Sequence, residues 1–128
     1  MKVIAWMLYT SLTLLVFGCV VDNPPLDWND EVLNWSSYEI GVRELKTSGQ
    51  NGIIILYSDW CPTCTEYSTL FKDSEVVQAL DALVLIRVNI ELEPEIAEIF
   101  SLDGEYVPRT FALDSSGRII KSLNSQGT

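Results

Sequence analysis

A chain of 128 residues with a net charge of −10 has room for one domain with a sizeable core and none for a second. Eighteen acidic residues against eight basic ones leave no clustered cationic surface, so no nucleic-acid partner is expected. No histidine and only three cysteines argue against a Cys–His hydrolase, a histidine-assisted copper carrier and a closed four-ligand zinc site, and no metal or other cofactor is expected.

The chain opens Met1-Lys2 and continues as an almost uncharged apolar run from Val3 to Val21, with Gly18-Cys19 near its end. A positive start, an apolar middle and a small residue before the cut resemble a secretory signal peptide. Val16-Phe17-Gly18-Cys19 resembles the lipobox of bacterial lipoproteins, with Phe17 where that family has a small residue. This reading divides the chain into a lipoprotein-type signal peptide at 1–18, a lipidated Cys19 with a tether over 19–34, and a folded domain over 35–128. An uncleaved signal anchor is the alternative, because the 19 residues of Val3 to Val21 fall within the roughly 17–25 that span a bilayer. Either way the domain is expected outside the cytoplasm, since Lys2 precedes the run and only acidic charges follow it closely. With Cys19 given to the anchor, Cys61 and Cys64 remain as a pair, and nothing is left for a structural disulfide framework.

Pro24-Pro25 and its polar, acidic surroundings read as the tether. Ser36-Ser37-Tyr38-Glu39 has the form of a capping box, and Tyr38, Val42 and Leu45 repeat at helical spacing before Gly49. Gly52 to Ser58 is a continuous apolar run, typical of a strand buried on both faces of a parallel sheet. It leads into Trp60-Cys61-Pro62-Thr63-Cys64, where Pro62 suits the first turn of a helix and Cys64, Tyr67 and Phe71 share one face. Asp73-Ser74 can cap a short segment with Val76, Val77 and Leu80. Leu83 to Ile90 is a second buried strand, with Arg87 as its interior charge. Pro94 opens a short helix with Ile96, Ile99 and Phe100 inward, broken by Asp103-Gly104. Two further strand-like runs, Thr110–Leu113 and Arg118–Leu123, flank the turn residues Asp114-Ser115-Ser116-Gly117 and predict a hairpin. The expected order is α-β-α-β-α-β-β.

The Cys61-x-x-Cys64 pair carries the chemistry. Two thiols three positions apart at a helix start can close and reopen a disulfide without refolding the chain. Unsatisfied N–H groups and the helix dipole there favour a thiolate at the first of them. Cys61 is therefore the expected nucleophile and Cys64 the resolving thiol. Pro62 and Thr63 are expected to tune the pair by setting how well the helix start stabilises that thiolate.

The element order, the Cys-x-x-Cys at the first strand-to-helix junction and Val107-Pro108 before the hairpin together resemble the thioredoxin fold over roughly residues 35–123. The motifs Tyr57-Ser58-Asp59-Trp60-Cys61-Pro62-Thr63-Cys64 and Tyr106 to Gly117 are similar to a thioredoxin-7-like group. That group includes exported bacterial thioredoxin-domain lipoproteins and the small endoplasmic-reticulum thioredoxin-domain and anterior-gradient proteins. The first motif also resembles the C-terminal domain of the bacterial transmembrane disulfide-interchange reductase. The resemblance implies a three-layer α/β/α sandwich with a mixed central sheet, protein thiol or disulfide clients and a redox-recycling partner. It also implies a cis-proline at Pro108 that faces the thiols and exposes the backbone of Val107 to a client. Trp60 is expected beside the disulfide, shielding it.

Two departures from the family accompany these expectations. Ile55 stands where thioredoxins carry a buried acid on the strand six residues before the first cysteine. Asp59 and Glu66, the nearby carboxylates, are expected to be solvated, and Arg109 to assist the client or buttress its loop. After Leu123 only five residues remain where the family has a final helix, and two expectations follow: a naturally minimal chain whose exposed sheet face is covered by the N-terminal helix or a partner, or a C-terminus truncated relative to its relatives. Three functions stay open: an oxidoreductase, a client-binding module that turns over poorly, and an envelope lipoprotein with an incidental Cys-x-x-Cys.

Overall fold

The computed structural model describes residues 25–101 and 104–121. The expectations placed on the signal peptide 1–18, on Cys19, on Asp103 and on the stretch from 122 through Leu123 to the C-terminus lie outside the described residues. The elements are β1 (Trp35–Ser36), α1 (Tyr38–Ser48), β2 (Gly52–Tyr57), α2 (Pro62–Ser68), a 3₁₀ turn (Thr69–Lys72), α3 (Ser74–Leu80), β3 (Val84–Asn89), α4 (Pro94–Ile99) and β4 (Arg109–Leu113). They form one mixed sheet in the order β1-β3-β2-β4, in which β1 and β2 run parallel to β3 and β4 runs antiparallel to β2.

Strand alternation divides the core in two. Ile54 and Leu56 of β2 and Val84, Ile86 and Val88 of β3 turn to one face, where they meet Leu45 of α1, Phe100, and Phe111 and Leu113 of β4. Ile55 and Leu85 turn to the other face, against Trp28, Leu33 and Phe71, with Tyr67, Val76, Val77 and Leu80 packed around them. Helices α1 and α4 thus cover one side, and α2, the 3₁₀ turn and α3 cover the other, giving the expected three layers. Gly41 lets α1 lie close on the sheet, since a Cβ there would collide with the buried Ile86 side chain.

The domain begins earlier than residue 35. Trp28 is 2% exposed and Leu33 is buried, so much of the segment read as tether belongs to the second core. A rule based on composition misses this because two large apolar residues are embedded among Asp27, Asn29, Asp30 and Glu31, which stay at the surface. This non-helical segment, rather than α1, joins α2 and α3 in covering the second face. Trp28 stacks edge-on to Trp35, Tyr57 and Tyr67 and tilts against Phe71, and Trp35 Nε1 donates to the Trp28 carbonyl at 2.8 Å.

The capping box also fails to form. Ser36 is drawn into β1, paired with Ile86, so the N-cap moves to Ser37, whose side chain makes no cap bond. Glu39 instead meets Arg43 one turn on, at 3.4 Å. Asp73 does cap α3, its carboxylate accepting from the amides of Glu75 and Val76. On α4, Ile99 is exposed and Ala97 takes the inward position beside Ile96, because Ile96, Ala97 and Phe100 form the i, i+1, i+4 stripe that faces the sheet.

Within the described residues the second arm of the hairpin is a single bridge, Leu113 to Ile119, extended by an Ile120 N–H donating to the Ala112 carbonyl. The turn itself is held by one carboxylate. Asp114 accepts from the Ser116 hydroxyl and from the Ser116 and Arg118 amides, and Gly117 takes the positive φ of 85°. The Ser116 hydroxyl and those amides hold the Asp114 carboxyl down to about 2. Among the described residues no helix is long and apolar enough to cross a membrane.

Candidate active site

Three loops meet at one edge of the sheet. The register Tyr57↔Asn89 puts the ends of β2 and β3 side by side, and Leu56↔Arg109 brings the start of antiparallel β4 to the same edge. Residues 58–61, 90–93 and 104–108 therefore converge there. The apolar run of β2 ends at a tight turn built on Ser58, whose buried hydroxyl accepts from the Trp60 amide and whose carbonyl accepts from the Cys61 amide.

That turn delivers Cys61 to the N-cap of α2, with Pro62 in the first helical turn. The Cys61 sulfur serves as the cap acceptor, receiving the Cys64 N–H at 3.0 Å. In the reduced state the same amide stabilises a thiolate on Cys61, as does the helix start. Cys61 and Cys64 form a disulfide with Cα atoms 5.1 Å apart. The two sulfurs are not equivalent: Cys61 is half-buried at the rim, whereas Cys64 is 0% exposed. An outside sulfur or thiolate meets Cys61 first.

Across from the pair, the Val107–Pro108 peptide bond is cis, and the Val107 carbonyl lies 3.7 Å from the Cys61 sulfur. Arg109, just behind it, is buried and donates through Nη1 to the carbonyls of Phe100 and Gly104, while its guanidinium lies against the Tyr106 and Phe111 rings. It buttresses the loop and turns away from the rim. Trp60 is 77% exposed, with its Nε1 donating to Glu91 at 2.8 Å. The ring is displayed on the rim and tied to the neighbouring loop, rather than packed down as a cover over the disulfide.

Pro62 and Thr63 are exposed in the first turn of α2, and Glu66 is exposed on the same helix. Asp59 is more than a solvated charge, because it accepts from the Nδ2 of the buried Asn89 at 3.0 Å. Ile55 is fully buried beside Arg87 and Thr110 in the strand register, so the family's acid has no counterpart at that position. Thr110 shares a 2.8 Å hydroxyl pair with Tyr67, one turn beyond Cys64 on α2. Arg87 reaches away to Asp30, at 2.9 Å, with its guanidinium over Trp28 and Trp35. Burial raises the Tyr57 phenol, with the Arg87 charge opposing the shift.

Sequence reasoning missed Ser58, Asn89 and Glu91. Asn89 ties the two loops beside the disulfide, its side chain reaching Asp59 and the Glu91 amide and its carbonyl accepting from Leu92 and Glu93. The available signal was an uncharged polar residue near the end of an apolar strand, the position at which loop hydrogen bonds are organised.

A mixed sheet between helical layers, with a cysteine pair at the N-cap of the helix leaving its central strand and a cis X–Pro bond facing that pair, defines the thioredoxin-fold class of thiol–disulfide proteins. Within that class, the chain belongs to the family described as Thioredoxin-like, which matches residues 34–115. Anterior gradient protein 2 homolog of Homo sapiens is 30% identical over 89 residues, covering 70% of this chain and 50% of that protein. Thiol:disulfide interchange protein DsbD of Escherichia coli K12 is 25% identical, covering 88% of this chain and 23% of that protein. This chain thus spans half or less of the length of these relatives. Among solved structures, a thioredoxin from Thermus thermophilus aligns with a TM-score of 0.56 at 22% identity, over 64% of this chain and 65% of the other. The disulphide isomerase of Xylella fastidiosa aligns with a TM-score of 0.54 at 11% identity, over 63% and 66%. Both structural likenesses concern the fold.

Proposed function

We propose that this chain is a thiol–disulfide oxidoreductase that acts on protein disulfides outside the cytoplasm, held at a membrane through a lipidated Cys19 or an uncleaved signal anchor. The observation that carries the redox role is the asymmetric Cys61–Cys64 pair, with an accessible sulfur capped by an amide N–H and a fully buried partner three residues on. In the reducing direction the Cys61 thiolate attacks a client disulfide. One client sulfur leaves as a thiolate, and a mixed disulfide forms with the other. The Cys64 thiolate then attacks Cys61, releasing the second client thiolate; the client gains two electrons and the pair is oxidised. In the oxidising direction the same steps run backwards. A separate redox partner recycles the pair.

The Val107 backbone, Pro108 and Trp60 form the client contact, and Pro62 and Thr63 tune the thiolate through the helix start. The export reading is supported by the Lys2-led apolar leader ending in Gly18-Cys19. The test uses the full chain with a disulfide-bonded client protein. Cys61→Ser abolishes exchange, whereas Cys64→Ser accumulates the mixed disulfide on Cys61. Undiminished client affinity in Cys61→Ser, together with no exchange by the unaltered chain, overturns the enzyme in favour of a binding module.

A further inference from the structure

The three loops around the disulfide are unusually one-sided in charge. Residues 58–61, 90–93 and 104–108 contain Asp59, Glu91, Glu93 and Glu105 and no lysine or arginine. Most described cations are engaged elsewhere: Arg43 with Glu39, Lys72 with Asp27, Arg87 with Asp30 and Arg118 with Asp114. Beside the Val107–Pro108 loop lies a cleft of about 450 Å³ between that loop and α4, with Ile90 and Ala97 as apolar lining, Glu98 and Glu105 as its acids, and Arg109 as its cation. Arg109 is 4% exposed, with its guanidinium committed to the Phe100 and Gly104 carbonyls.

A mixed trough, with Ile90, Pro94 and Ala97 beside Ser101 and the exposed carboxylates of Glu98 and Glu105, matches a long cationic side chain, whose methylene stem needs apolar cover while its head stays polar. Glu105 is two residues from Val107, whose carbonyl touches the Cys61 sulfur. That places the Glu105 edge of the cleft within roughly 10 Å of the reacting atom, or two to three residues of extended chain. Leu92, 78% exposed next to Glu91, adds apolar surface on the same rim.

Building on the oxidoreductase reading above, we propose that this cleft selects clients carrying a lysine or arginine two to three residues from the reacting cysteine. The acidic loops raise the encounter rate of such segments, and Glu98 and Glu105 hold the cationic head once the client cysteine faces Cys61.

The test is single-turnover exchange by the pre-reduced full chain with three disulfide-linked peptides. They are identical except for Lys, Gln or Glu at the third position from the cysteine. The Lys peptide reacts about tenfold faster than the Glu peptide at low ionic strength, and the ratio shrinks severalfold near 0.5 M salt, where screening is short-ranged. The double variant Glu98→Gln/Glu105→Gln loses most of this ratio. The double variant Glu44→Gln/Glu75→Gln, which changes net charge equally but lies on α1 and α3, keeps it. Equal rates for the three peptides, or equal loss of the ratio in both double variants, overturns the cleft while leaving the oxidoreductase standing. Rates no faster than those of Cys61→Ser for every peptide overturn both.

Discussion

The two faces of the sheet are built by different means. The face under α1 and α4 is largely aliphatic, closed by Leu45 and by the tight approach of Gly41 to Ile86. The face under α2 and α3 is aromatic, with Trp28, Trp35, Tyr57, Tyr67 and Phe71 in edge-on or tilted contacts and Arg87 lying over two of the rings. The redox helix rests on this second face. A helix of only seven residues has little stability of its own, so its position depends on the bed beneath it. Large rings supply that bed from few residues, some of them in a segment with no regular structure.

Damage to the two faces therefore separates stability from exchange. Trp28→Ala lowers unfolding stability by about 3–5 kcal/mol in denaturant titration, and it also slows client exchange by loosening the support of α2. Leu45→Ala, a buried aliphatic truncation on the other face, costs about 2–5 kcal/mol and leaves the exchange rate of the folded protein unchanged. Equal effects of both variants on exchange would break the comparison. Gly41→Ala gains about 1 kcal/mol of helix propensity but must displace the buried Ile86, giving a net loss within the roughly 1–3 kcal/mol of an overpacked core. Tyr67→Phe removes the hydroxyl pair with Thr110 at a cost of about 1 kcal/mol, read as a shift in denaturation midpoint without a change in slope.

The smallest effect lies away from both faces, at the Asp114 turn. The folded carboxyl is held at about 2, below its ordinary 3.8. Its contribution is therefore present above about 3.8 and disappears as pH falls towards 2. Protection of the Ser116 and Arg118 amides, measured against their intrinsic exchange rates, falls across that window, and Asp114→Asn removes most of this pH dependence.

Much of the site could be read from residue order alone. Cys61 at a helix start and Cys64 inward follow from a buried strand and a proline-led helix, because each signal is local, whereas Pro108 opposite them came only from the resemblance to the thioredoxin fold. The errors share a cause. Trp28 and Leu33 were hidden in an acidic, proline-flanked stretch, Ser36 was taken from its cap by pairing with β3, and Ile99 lost its inward place to Ala97. In each case a contact distant in sequence overruled a local preference. Asn89, Glu91 and the cleft at Glu98 and Glu105 were missed because their meaning depends on which loops share an edge.

The sequence by itself determined the redox pair, the two buried central strands and the acidic balance, because side-chain chemistry and period-two or helical patterning are written along the chain. Only the tertiary structure decided that the segment around Trp28 belongs to the core, that the Val107 carbonyl stands against Cys61, and that carboxylates from separate loops ring one disulfide. Those arrangements arise when strands pair in register, and register brings together residues that no local pattern links.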